Sequence, residues 1–320
     1  MAFEIYQDIG HDIIRIDTGM VREGLAACYL LKGGDDYAVI ETGTHNTVPR
    51  ILALLDDKGI GPGQVKFVIP THVHLDHAGG VGGLMQALPN ATLLIHPRGA
   101  RHMIDPSRLK AGSLAVYGEQ LFATIYGDVI PVEESRVRIM EDGDEVAVGD
   151  RRLVFYDTPG HARHHFCVYD PASDGIFSGD TFGLSYPSLT TENGPFILPT
   201  TTPVQFDPEA LKDSIRKLLA LQPERMYLTH YGCVEHPAVL GERLLSMVDD
   251  FVALAEDVAS TTEGDALEAG LMTAMTEYLG RCLEAHGCQL SKAQLQTALG
   301  MDIQLNSQGL AVWLRSRAVS

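Results

Sequence analysis

The chain has 320 residues, 45% apolar and 21% charged, enough for one large α/β domain and a smaller one. Its 24 basic and 42 acidic side chains leave a formal net charge of −18, which repels phosphate backbones and argues against nucleic acid as a partner. Five cysteines without a C-x-x-C pair suit a reducing compartment, and no apolar run approaches membrane-spanning length. Met1 to Tyr6 lack the basic-then-apolar pattern of an export signal, so the expected location is cytoplasmic, with no membrane partner.

The front half reads as strands. Residues 12–17, 26–31 and 37–41 alternate or run apolar between Gly and Asp clusters, as hairpin-linked strands do. Val48 to Leu55 reads as a short amphipathic helix. The apolar run Val65 to Ile69 then meets Pro70 and the segment Thr71-His72-Val73-His74-Leu75-Asp76-His77-Ala78-Gly79-Gly80. Three imidazoles and one carboxylate fall within six positions of that segment. Alternate residues at a strand end point to one side, so His72, His74 and Asp76 can converge, with His77 beside them. Imidazole nitrogen and carboxylate oxygen suit Zn, Fe or Mn, and burying so many titratable groups without a cation is costly. The glycine pair opens an apolar helix over Val81 to Leu88, and Ala91 to His96 reads as another strand. Residues 98–130 form a partly helical insertion, read as a pocket wall or an oligomer contact.

A second strand group covers residues 137–140, 145–148, 152–157 and 166–170. Three segments share one design, an apolar strand ending in a potential ligand: Leu153 to Asp157 leads to His161, Gly175 to Phe177 to Asp180, and Met226 to Leu228 to His230. Each alone is weak, because a lone His after a strand is more often a hydrogen-bonded structural residue and a Gly-Asp step is usually a turn. Their joint order downstream of H-x-H-x-D-H is the signal. Residues 183–206 read as a long loop, in or beside which Phe182, Tyr186 and Phe196 either cap an apolar pocket next to Asp180 or tie the loop to the core. Residues 236–320 carry helical periodicity without strand signal, and acidic residues dominate Glu242 to Glu268. That charge turns the tail away from DNA binding and toward packing, substrate gating or homodimer contact.

Taken in order, these segments resemble the metallo-β-lactamase fold superfamily of metal-dependent hydrolases, in its glyoxalase II-like or lactonase-like branch, over roughly residues 10 to 240. The resemblance rests on Glu41 in Ala38-Val39-Ile40-Glu41-Thr42-Gly43, His72 to His77, His161 in Thr158-Pro159-Gly160-His161, Asp180 and His230. It implies an α/β fold, the αββα sandwich, with a C-terminal helical extension: a catalytic domain over residues 1–235 and a helical domain over 236–320. It implies that His72, His74 and His161 hold one metal, that Asp76, His77 and His230 hold a second, and that Asp180 bridges both. The ions would be divalent, zinc first, with iron or manganese as the other choices. They would share a hydroxide that attacks a small acyl substrate, an ester, lactone or thioester, with Asp76 as the catalytic acid–base residue. His rather than Glu at position 74 points away from the oxygen-reducing di-iron branch. The alternatives are a single-iron oxidoreductase of the persulfide dioxygenase type and a non-catalytic metal-binding module.

Two positions depart from the family pattern. Glu41 stands where relatives usually have Asp, and is read as a partner that orients a ligand imidazole. Ala162-Arg163-His164-His165 follows His161, with His165 read as a supporting residue and Arg163 as either a substrate contact or a solvated charge. Tyr186 and Tyr231 stand as alternative hydrogen-bond donors to substrate, and Cys233 is read as a buried small apolar residue rather than one that lines the site.

Overall fold

The computed structural model describes residues 4–201, 204–264 and 266–317. Met1 to Phe3, on which the export-signal expectation partly rests, and loop residues 202 and 203 lie outside the described residues. The chain forms two compact units. One contains the residues up to Asp157, His164–Gly179 and Pro223–Glu235; the other contains Thr158–Arg163, Asp180–Gln222 and the residues from His236 onward.

The first unit holds both sheets. The seven-stranded sheet runs in chain order, β1 (Tyr6–Asp8), β2 (Ile13–Asp17), β3 (Ala27–Gly33), β4 (Asp36–Ile40), β5 (Val65–Ile69), β6 (Thr92–Ile95) and β7 (Val137–Ile139). Its first four strands are antiparallel, and the pairs from β4 to β7 are parallel. Parallel neighbours need crossovers, and the chain supplies helices there. They are α1 (Val48–Asp57), then α2 (Leu75–Ala78) with α3 (Val81–Ala87), then α4 (Pro97–Ile104) with α5 (Ser107–Ile125). The six-stranded sheet has β8 (Glu145–Val148), β9 (Arg151–Asp157), β10 (Phe166–Asp170), β11 (Gly175–Gly179), β12 (Arg225–Leu228) and β13 (Gly232–Glu235) as successive neighbours.

Period-2 alternation gives the seven-stranded sheet two apolar faces. Cys28 and Leu30 of β3 and Val39 of β4 pack with Ile51 and Leu54 of α1 and with Val81 and Leu84 of α3. Tyr29, between Cys28 and Leu30, points the other way. Its ring meets Phe177 of β11 at 5.2 Å and Tyr227 of β12 at 5.8 Å, and its hydroxyl donates to the Leu228 carbonyl. The two sheets therefore face each other across β3, β11 and β12. Arg151 of β9 also spans them, donating to the carbonyls of His11 (2.6 Å) and Lys32 (3.1 Å) while paired with Asp170.

The second unit is helical, with α6 (Pro208–Leu219), α7 (Pro237–Thr261), α8 (Ala266–Ala285) and α9 (Lys292–Arg317). Leu267, Leu271, Met275, Leu279 and Leu283 recur every fourth residue on the buried stripe of α8. Lys212 of α6 reaches Asp249 of α7 at 2.6 Å.

The expected class, a mixed α/β fold with two sheets and a C-terminal helical region, is the one found. Three details differ from the sequence reading. Strands β1 and β13 carry too few residues, only three and four, to show a period. Helix α9 is continuous from Lys292, whereas the polar run Asp302, Gln304, Asn306 and Gln308 breaks its apolar pattern in the sequence. The long loop is tied down internally, with a bridge between Leu184 and Leu198. Phe182, Tyr186 and Phe196 are buried, and Phe196 packs on the His286 ring at 5.4 Å. Among the described residues no helix is long and apolar enough to cross a membrane.

Candidate metal centre

In the first unit, Pro70 ends β5, and the chain turns through His72 to the single-turn helix α2, with His74 in extended conformation at its start. The turn puts His72 Nε2 2.8 Å from His74 Nδ1, with the His77 ring 4.0 Å from that of His72. Asp76, His77 and His230 form a group whose ligand atoms all lie within 4.8 Å of one another. Asp76 Oδ2 is 3.6 Å from His77 Nε2 and 3.3 Å from His230 Nε2.

The far nitrogens of these rings decide their tautomers. His77 Nδ1 lies 2.9 Å from the Glu41 carboxylate, and His230 Nδ1 2.8 Å from the Leu25 carbonyl. A carbonyl only accepts, so His230 carries its hydrogen on Nδ1 and offers the Nε2 lone pair. The same assignment satisfies His77. Two imidazole Nε2 atoms and one carboxylate oxygen, held from behind by acceptors, are a donor set that fits a divalent ion.

Glu41 is the centre of that support. Its Oε1 accepts from Thr71 Oγ1 (2.6 Å), Thr229 Oγ1 (2.9 Å) and His77 Nδ1, and its Oε2 accepts from the Thr71 amide (3.1 Å). The residue is buried just past β4 with φ +60°, left-handed backbone that a β-carbon disfavours by about 1–3 kcal/mol. His165 is fully buried and stacks on His72 at 4.8 Å. Gly179 at the end of β11 lets them approach, since a Cβ there would sit 2.5 Å from His165 Nε2.

In the second unit, Thr158-Pro159-Gly160-His161 is seated on α6. Ser214 Oγ donates to the Pro159 carbonyl at 2.6 Å, and Gly160, at φ +132°, leaves no room for a Cβ beside the Leu211 backbone. His161 Nε2 lies 3.3 Å from Asp180 Oδ2. Thr200 Oγ1 lies 2.6 Å from His161 Nδ1 and 3.4 Å from Asp180 Oδ2. Of the seven residues named from the motifs, the first unit thus carries His72, His74, Asp76, His77 and His230, and the second His161 and Asp180.

The family model of the metallo-β-lactamase superfamily matches residues 21–230 of the chain. The chain belongs to that superfamily. The metallo-β-lactamase fold-containing protein ST1585 of Sulfurisphaera tokodaii is 27% identical over 228 residues, which cover 70% of this chain and 79% of that protein. The human acyl-coenzyme A thioesterase MBLAC2 is 26% identical over 193 residues, 55% of this chain and 65% of that protein, so the chain spans just under two thirds of that relative. A crystal structure of the metallo-β-lactamase family protein TTHA1429 from Thermus thermophilus shares the fold with TM-score 0.67 at 18% identity, covering 97% of this chain and 95% of that one.

Several residues around the superfamily motifs went unnoticed in the sequence. Thr71, Thr229 and Thr200 are ordinary loop threonines until their partners are known. His164, beside the motif histidine, is buried with its ring 5.7 Å from that of His74; its place in a run of histidines was the available signal. Tyr186 donates to Asp302 at 2.9 Å. Tyr231 is buried under Arg15, whose guanidinium is 4.7 Å from its ring centre, and burial pushes the phenol up from its usual range. Arg163 is exposed, its amide donating to Gln205 Oε1 at 2.7 Å, and Cys233 is exposed on β13, not buried as its small apolar side chain suggests.

Proposed function

We propose that the protein is a hydrolase of small acyl substrates that works with two divalent ions, zinc first among them. His72, His74 and His161 would hold one ion, Asp76, His77 and His230 the other, and Asp180 both. The observation that carries this reading is the Asp76–His77–His230 group, with Nδ1 of both imidazoles set against acceptors. When bound, paired ions supply Lewis acidity, which makes water acidic enough to yield hydroxide near neutral pH and polarises an acyl carbonyl.

The chain's own residues do the rest. Glu41 and the Leu25 carbonyl fix the tautomers of His77 and His230. Asp76 directs Oδ2 at both imidazoles. In this proposal its other oxygen takes the proton of the attacking water and passes it to the leaving group as the acyl C–S or C–O bond breaks. Thioesters stand first among ester, lactone and thioester substrates, because a relative carries the name acyl-coenzyme A thioesterase.

Gently purified, metal-loaded protein should approach two ions per chain by elemental analysis. One ion at full hydrolytic activity would remove the paired mechanism, and one ion without hydrolysis would favour the single-iron oxidoreductase. Turnover of an aryl ester, a lactone or an acyl thioester should proceed without oxygen, stop with a strong chelator and return with Zn or Mn. Oxygen-dependent conversion of a sulfur substrate, with no hydrolysis across the panel, would overturn the proposal.

A further inference from the structure

The family match ends at residue 230, so it assigns nothing to the helical tail. The polar residues that interrupt the apolar pattern of α9 are where the tail meets chemistry. Asp302 and Asn306 lie one helical turn apart, on one face, and both are buried. Asp302 Oδ1 accepts from Tyr186 near the start of the long loop. Asn306 engages the loop's far end. Its Oδ1 accepts from the Thr201 amide (2.6 Å) and hydroxyl (3.0 Å), its backbone carbonyl accepts from that hydroxyl too (3.0 Å), and its Nδ2 donates to the Pro199 carbonyl (3.3 Å). The amide cannot be reversed, because the amide N–H of Thr201 needs an acceptor and the Pro199 carbonyl needs a donor. Phe206, further along, packs on Trp313 of the same helix at 6.4 Å.

Asn306 therefore grips the residue before Thr200 and the residue after it. Thr200 is the residue whose hydroxyl meets His161 Nδ1 at 2.6 Å and Asp180 Oδ2 at 3.4 Å. One hydroxyl can satisfy both contacts in only one sense if His161 is to offer Nε2. It accepts from Nδ1–H and donates to the carboxylate.

We infer that α9 positions His161 and Asp180 for metal through Asn306 and Thr200. Asn306 fixes the loop backbone on both sides of Thr200, and the Thr200 hydroxyl fixes the ring and the carboxylate. The inference rests on reading His161 and Asp180 as metal ligands. All of its contacts lie within the helical unit, which gives that unit a part in the chemistry: a change in the tail reaches the metal by loosening one loop residue.

The test is zinc affinity by competition with a chromogenic chelator, measured on the full chain. Thr200→Val removes the hydroxyl but keeps the shape, and Asn306→Ala removes the grip. Each should weaken zinc binding by about 10- to 100-fold, the range for partners that orient a ligand. Thr200→Ser should stay near wild type. The double variant should be no weaker than the worse single, since Asn306 acts through Thr200. Gln308→Ala, on the same helix but bonded to Glu268 at 3.0 Å, should leave zinc affinity unchanged. Should Asn306→Ala fail to fold, Asn306→Asp, which keeps the acceptor for Thr201 but sets a carboxylate oxygen against the Pro199 carbonyl, should move affinity in the same direction. Wild-type affinity in Thr200→Val, or fully additive losses in the double variant, would overturn the inference while leaving the ligand assignment intact. If His161→Ala itself binds zinc as wild type does, the ligand assignment fails and this inference falls with it.

Discussion

Asp180→Ala should nearly abolish hydrolysis and empty at least one metal position, whereas Glu41→Gln should slow turnover by about 10- to 100-fold and keep measurable activity. In the proposed centre Asp180 belongs to both ions, so its loss removes a ligand from each. Glu41 touches no metal in that arrangement; it holds His77, Thr71 and Thr229. The amide in Glu41→Gln preserves the shape but presents N–H groups where one of the two oxygens accepted. At least one buried donor then faces another donor, at a cost of about 1–3 kcal/mol. Metal content and kcat/KM, measured on both variants, decide the matter. A Glu41→Gln protein without metal, beside an active Asp180→Ala protein, would exchange the roles assigned to the two carboxylates.

Asp170→Ala should be the most destabilising of the simple substitutions outside the metal centre. Asp170 is fully buried and takes Arg151 in a two-point pair, with Nε 2.9 Å from Oδ1 and Nη2 on Oδ2. Ser173 Oγ and the Ala172 amide donate to the same carboxylate. Removing it strands a guanidinium that is itself buried and that joins the two sheets through His11 and Lys32. Breaking a buried ion pair from one side costs about 3–5 kcal/mol. For a chain of this size that is a Tm decrease on the order of 10 °C. Asp170→Asn, which keeps one acceptor oxygen and a similar shape, should lose less. A decrease under about 2 °C for Asp170→Ala would show that the guanidinium finds other acceptors or water.

The motif was legible because its residues are nearly consecutive. His72, His74, Asp76 and His77 announce their chemistry through spacing alone, and each later candidate follows an apolar strand that can be read by its period. Glu41 was legible as a strand-end acid, but its left-handed backbone was not, since nothing in Ile40-Glu41-Thr42 requires it. Thr71, Thr200 and Thr229 were invisible for a different reason. A threonine becomes informative only through its partner, and Thr229 bonds to a residue 188 positions away. The aromatics of the long loop are open between two uses in the sequence, and all three are buried in the fold. Helix α9 reads as two pieces because its buried face is polar where it grips the loop. An apolar-period rule cannot recognise a face whose partners are backbone amides and carbonyls.

The contacts that close the centre come late in the chain. His230 rests on the Leu25 carbonyl across 205 residues, and Glu41 waits for the Thr229 hydroxyl across 188. During synthesis at about 5–20 residues per second, roughly 10 to 40 s pass between the emergence of Leu25 and that of His230. Through that interval Glu41 has no Thr229 and the Asp76–His77 pair lacks its third partner. A growing chain therefore exposes His72, His74 and His77 as loose imidazoles long before it can hold an ion in the finished arrangement.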